Sequence, residues 1–160
     1  MKRITALLIL LSLLLSGCAD RIKDPVTFYY VRSGYEEDMS HLLESEQREA
    51  SGHREDLAYL MALYLMGPAD EDLQSPIPRG TSIFSAARSG SSVMLHLSDT
   101  SDSMTDAQFI LACSCLTMTC LELTDAEHVT INSGDRSVTM SKSTLLLHDL
   151  TTGAKTEEDS

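Results

Sequence analysis

Residues 92–132, SVMLHLSDTSDSMTDAQFILACSCLTMTCLELTDAEHVTIN, decide the fold, because the spacing of their apolar residues changes twice. In Ser92–Ser98 the apolar side chains alternate with others, which is typical of a strand with one buried face. From Thr105 to Leu123 they recur three and four residues apart, as on one face of a helix. Glu127–Asn132 is again rich in β-branched residues. The stretch therefore predicts a strand, a helix and a further strand.

The predicted helix has a clear start and one apolar face. Thr105 and Gln108 have the spacing of a capping box, in which each side chain satisfies a backbone amide of the other. The face consists of Phe109, Ala112, Cys113, Leu116, Cys120 and Leu123. Cys113 and Cys120 are expected to pack in the core, while Cys115 points away from the face and is open to exposure and oxidation.

Two further elements precede this stretch. Thr81–Arg88 and Ser92–Ser98 flank Ser89-Gly90-Ser91, which predicts a β-hairpin. A second helix is predicted from an apolar face at Leu57, Leu60, Met61, Tyr64 and Leu65. Ser51 or Gly52 can cap this helix, with Glu55 and Asp56 in its first turn, and Gly67-Pro68 ends it.

The remaining strands complete an α+β pattern. Val26–Arg32 is rich in β-branched and aromatic residues, His41–Ala50 favours an edge strand, and Ser137–Met140 favours a short return strand. We therefore predict a two-layer α+β sandwich, with a mixed sheet of about four to six strands and two amphipathic helices on one face. One domain is expected over residues 26–150, followed by a polar, flexible tail at 151–160.

The first residues predict a lipoprotein signal. Lys2 and Arg3 precede an apolar run from Ile4 to Leu15, which is too short for a comfortable membrane span. The sequence Leu15-Ser16-Gly17-Cys18 resembles the bacterial lipobox, in which the cysteine is acylated and the leader is cut just before it. We expect residues 1–17 to be removed, Cys18 to carry the lipid anchor, and residues 18–25 to form a short tether.

Charge narrows the classes of partner. The chain has 12 basic and 24 acidic residues, a net charge of −12, and loss of Lys2 and Arg3 makes it −14. Nucleic acid is not expected as a partner, because binding phosphates needs a basic patch. The lipoprotein signal sets the expected location of the protein, which is the extracytoplasmic face of the cell membrane.

No residue pattern predicts catalysis, a metal site or a cofactor. The histidines (His41, His53, His96, His128, His148) lack the spacing of a ligand pair, and surface positions are expected for them. Asp70-Glu71-Asp72 fits a weak calcium site, but a solvated loop is the favoured interpretation. There is no Gly-x-Ser-x-Gly nucleophile motif and no phosphate-binding glycine loop. We expect a protein that is not an enzyme.

A family resemblance covers Val26 to about Met140. Several short motifs follow one another in the order typical of GerMN domains. They are Gly67-Pro68 at a helix end, Ser75-Pro76-Ile77-Pro78-Arg79-Gly80-Thr81, Leu97-Ser98, Glu122-Leu123 and Val129-Thr130-Ile131. These are modules of sporulation and spore-germination proteins of Gram-positive bacteria. Two positions depart from the family pattern: His96 stands where Asp is usual, and Cys120 where Leu is expected.

The resemblance implies an extracytoplasmic, non-catalytic domain, often lipid-anchored. It also implies a structural role for the residues that match the family motif, which are Gly67, Pro68, Ser75, Pro76, Pro78, Gly80 and Thr81.

Two functions are consistent with these observations. The first is a membrane-anchored lipoprotein that acts by contact with a protein partner or by self-association, in sporulation, germination or cell-envelope assembly. The alternative is a ligand-binding or sensory lipoprotein that captures a cell-wall fragment or a small solute. The Gly67–Thr81 loop can serve either as a purely structural crossover or as a contact surface.

Overall fold

The computed structural model describes residues 22–34 and 42–145. The predicted signal, Cys18, most of the tether, His41, His148 and the tail at 151–160 lie outside these ranges. Seven strands and two helices have both ends within these ranges: β1 (Pro25–Arg32), β2 (Leu43–Glu49), α1 (Leu57–Leu65), β3 (Leu73–Gln74), β4 (Ile83–Ser89), β5 (Ser92–Leu97), α2 (Asp106–Leu123), β6 (His128–Ser133) and β7 (Arg136–Ser141). The predicted α+β class is confirmed.

The strands divide into two sheets. One has the order β2-β1-β3 and is antiparallel, with β2 at an edge as the sequence indicated. The other has the order β4-β5-β6-β7 and is mixed, because β5 and β6 are parallel while the outer pairs are antiparallel. The parallel pair requires a crossover, and α2 lies in that connection. The predicted mixed sheet packed with helices is thus present.

Helix α2 lies at the centre of the domain. It packs against β1 of the first sheet and against β6 and β7 of the second. The capping box between Thr105 and Gln108 is confirmed. This helix is long and apolar enough to cross a membrane by length and composition alone. Its packing against two sheets accounts for that apolar composition, since a core helix covered on both sides needs apolar residues around much of its circumference.

Helix α1 begins later than the sequence suggested. Asp56, not Ser51 or Gly52, is the N-cap, and its carboxylate accepts a hydrogen bond from the Tyr59 amide at 3.0 Å. Ser51 and Gly52 both have positive φ, 51° and 81°, so they form the turn after β2 and cannot start a helix. The prediction of these two as caps was therefore wrong, as was that of Glu55 and Asp56 in the first turn, because Asp56 is the cap and Glu55 precedes it.

Three aromatic rings join α1 to β1. The rings of Tyr30 and Tyr64 stack at 4.7 Å, and Phe28 meets Tyr64 edge-on at 5.8 Å. All three side chains are fully buried. The Tyr30 hydroxyl donates to the Tyr64 carbonyl at 3.1 Å, so the buried polar atom is satisfied. This cluster is the core contact between the helix and the first sheet.

The open side of β1 is closed by side chains. The Tyr29 amide donates to the Thr119 hydroxyl of α2 at 2.9 Å. The Tyr29 carbonyl accepts from the Tyr64 hydroxyl at 3.0 Å. Both backbone groups of Tyr29 on that side thus have partners without a neighbouring strand, as buried backbone groups require.

Candidate functional site

The Gly67–Thr81 loop, which carries the family motif, is bound to β2 at its beginning. The Glu46 carboxylate accepts hydrogen bonds from the amides of Ala69, at 2.9 and 3.2 Å, and of Asp70, at 3.2 Å. Arg48 donates to the Gly67 carbonyl at 3.0 Å and pairs with Glu46 at 3.3 Å. The two side chains lie on the same face of β2, two residues apart. They form a clamp, which we call the Glu46–Arg48 clamp.

The rest of the loop is held by its own contacts. The Ser75 hydroxyl lies 3.2 Å from both the amide and the carbonyl of Ile77, which closes a local turn. Ile77 and Leu73 are buried in the core, and Leu73 lies in β3, paired with β1. Gly67 and Gly80 have φ of 84° and 92°, which suits glycine. The loop encloses a surface concavity of about 460 Å³.

The acidic stretch in this loop forms hydrogen bonds within itself and with the residue that follows β1. Asp70 accepts a hydrogen bond from the Asp72 amide at 2.9 Å, and the Asp72 carbonyl accepts from the Ser33 amide at 2.8 Å. Within residues 22–34 and 42–145, no group of three His, Cys, Asp or Glu side chains is arranged to hold a metal ion.

The four-stranded sheet presents an uncharged surface, which we call the outer face. The register aligns twelve side chains there: Ser85, Ala87, Ser89, Ser92, Met94, His96, His128, Thr130, Asn132, Ser137, Thr139 and Ser141. Their neighbours on the strands, such as Val93, Leu95 and Ile131, point inward and are fully buried. All twelve are exposed or partly exposed, and none is Asp, Glu, Lys or Arg. Sequence reasoning missed this face, although the alternation in each strand marks its members.

The cysteines lie in the core. Cys113, Cys115 and Cys120 are all buried and free. Burial raises the pKa of the Cys113 and Cys120 thiols to about 12 and raises that of Cys115 still further. The interpretation of Cys115 as open to exposure and oxidation was wrong, because α2 is covered on two sides and that position meets a second packing surface. Thiols held protonated in this way are poor nucleophiles.

The described histidines occupy surface positions. His96 and His128 are exposed on the outer face, and the ring of His53 stacks on Tyr59 at 4.2 Å. No pair among these three follows a metal-ligand spacing.

A buried polar network supports the end of the second sheet. Arg136 donates to the Thr100 hydroxyl at 2.6 Å, and its guanidinium lies 4.2 Å from the centre of the Phe109 ring. The Ser133 hydroxyl lies 2.9 Å from the Thr100 hydroxyl and also donates to the Ser98 carbonyl at 2.9 Å. The network ties the loop before α2 to β6 and β7. Its members bond mainly to one another, which suits a structural role.

A groove of about 480 Å³ lies between β1, the end of α2, the start of β6 and the end of β7. Tyr29, Met118, Glu122, His128 and Lys142 line it among others. Burial, and to a lesser degree the Glu122 carboxylate, raise the pKa of the Tyr29 hydroxyl. It is the concavity that best fits the alternative prediction of a pocket between sheet and helix.

Comparisons with known proteins give two structural likenesses. No family model matches the chain, and no curated protein matches it. Tandem GerMN domains of the sporulation protein GerM from Bacillus subtilis match with a TM-score of 0.49 and 15% identity, over 76% of this chain and 43% of that chain. A candidate lipoprotein from Clostridium perfringens matches with a TM-score of 0.45 and 14% identity, over 79% of this chain and 94% of that one.

The chain thus spans less than half of the GerM chain that it matches. At these identities neither protein's role is carried over to this chain. The chain is similar in structure to GerMN domains, the family that its motifs resemble.

Proposed function

We propose that this chain is a non-catalytic, extracytoplasmic lipoprotein that Cys18 holds on the cell membrane and that acts by contact with protein. The observation that carries the proposal is the outer face of the four-stranded sheet, where twelve side chains in register include no charged residue. In a chain with 22% charged residues, a solvated sheet face would be expected to include several. The centres of protein interfaces are depleted in charge in the same way.

The outer face also has the shape that a contact surface needs. Four strands about 4.8 Å apart and six residues long, at about 3.3 Å each, cover about 400 Å². Its centre is Met94, which is 48% exposed and lies in register with Thr130. Methionine adapts its shape to a partner, and the surrounding hydroxyl groups can form hydrogen bonds without the large cost of burying charge.

The membrane anchor and the cellular setting come from the sequence. The lipobox at residues 15–18 supports acylation of Cys18, and the short tether would hold the domain close to the bilayer. The motif at residues 75–81, which resembles that of GerMN domains, supports a setting in sporulation, germination or cell-envelope assembly.

A photo-crosslinking amino acid at two positions tests the contact. One variant carries it at Met94 in the centre of the outer face, and the control carries it at Gln47, which is exposed on β2. On cells, we expect covalent protein adducts from the Met94 variant and at least tenfold fewer from the Gln47 variant, identified by mass spectrometry. Equal adducts at both positions, or none at Met94, would contradict the proposal.

The anchor is tested separately. A Cys18→Ala variant should leave the membrane fraction and appear in the culture medium or the soluble extracytoplasmic fraction, since acylation of that sulfur is lost. A Cys113→Ala variant is the matched control and should stay in the membrane fraction. Retention of the Cys18→Ala protein on the membrane would exclude the lipid anchor.

The groove at Tyr29 and Lys142 supports a second candidate function, capture of a cell-wall fragment or a small solute. Its volume of about 480 Å³ falls within the usual range for small-molecule sites. Soluble peptidoglycan fragments at millimolar concentration should then raise the Tm of the protein, because a ligand that binds only the native state stabilises it. No change in Tm with such fragments would remove this candidate.

A further inference from the structure

We draw no further inference here: the strongest candidate, the uncharged outer face of the four-stranded sheet, belongs to the contact already proposed, and nothing in the structure shows what covers it.

Discussion

Replacement of Glu46 by alanine should loosen the Gly67–Thr81 loop. The carboxylate accepts from two loop amides at 2.9 to 3.2 Å and pairs with Arg48 at 3.3 Å, and its side chain is only 10% exposed. Hydrogen bonds to a charged group contribute about 1.5–3 kcal/mol. Ala69 and Asp70 are exposed residues, so water can reach their amides once the carboxylate is gone. We therefore expect a loss near the lower end of that range, about 2 kcal/mol in the free energy of unfolding.

The same strand provides the control. Glu44 pairs with Arg32 at 3.4 Å, but the two side chains are 41% and 49% exposed. Exposed pairs of this kind contribute little, so Glu44→Ala should cost less than about 0.5 kcal/mol. Urea unfolding gives both values, and at this chain length the Tm should fall by about 6 °C for Glu46→Ala.

Hydrogen exchange makes the test local. In Glu46→Ala the amides of Ala69 and Asp70 should exchange at least tenfold faster, and proteolysis should begin in the loop. In Glu44→Ala both should match the unchanged protein. Equal losses of stability in the two variants, or unaltered exchange in the loop, would refute the assignment of Glu46 as the clamp.

Three other outcomes are expected. Thr119→Val should lower the free energy of unfolding by about 1–2 kcal/mol, because the Tyr29 amide of β1 loses its acceptor. Thr117→Val should leave it unchanged or raise it, because the buried Thr117 hydroxyl has no hydrogen-bond partner among the described residues. Urea unfolding of both variants compares them. Gly134→Ala should lower the stability more than Gly90→Ala, although both glycines have φ of 59°. Of the two, only Gly134 would place the added carbon against a carboxylate, at 2.6 Å from an oxygen of Asp99. Equal losses of Tm in the two variants would show that this contact is irrelevant. Burial raises the pKa of the Cys120 thiol from 9.0 to about 12, so above pH 9 the unfolded chain loses a proton that the native one keeps, and this thiol alone should lower the stability by about 2 kcal/mol up to pH 10.5. The pKa values of Cys113 and Cys115 are raised in the same way, so in urea titrations Cys120→Ala should make the fall shallower by about that amount without abolishing it.

Local patterns in the sequence were enough to predict most of the elements. The capping box at Thr105 and the alternation in β5 are signals within a few residues of each other, and tertiary packing did not override them. The start of α1 depended on the positive φ of Ser51 and Gly52, a conformation that glycine adopts readily and serine rarely, so the two residue types did not by themselves exclude these positions as caps. Strand β3 has two residues, and its partner β1 lies about 40 residues earlier, so no local pattern marks it.

The functional surfaces needed the fold. One helical face of α2 was evident from its periodicity, but burial of Cys115 and Thr119 depends on a second sheet that the periodicity does not reveal. The Glu46–Arg48 clamp joins β2 to a loop 19 to 24 residues away, through backbone groups that have no sequence signature. The outer face consists of polar residues that look like ordinary solvated positions strand by strand. Only the register shows that twelve of them lie together without a charge.

The uncharged outer face would allow so acidic a chain to bind the protein partner that we propose. No charged side chain stands among the twelve of the outer face, and the charges of the described residues lie in the loops, at the strand ends and on the other side of the sheet. Charges farther away than the Debye length, about 8 Å at physiological ionic strength, act only weakly on a partner at that face. A partner seated on the centre is therefore largely screened from the charge of −12, whereas the loops, at the rim, keep acidic molecules and anionic lipid headgroups away. Binding at this face should consequently depend little on salt, in contrast to any contact made through β2, where the charges themselves form the surface.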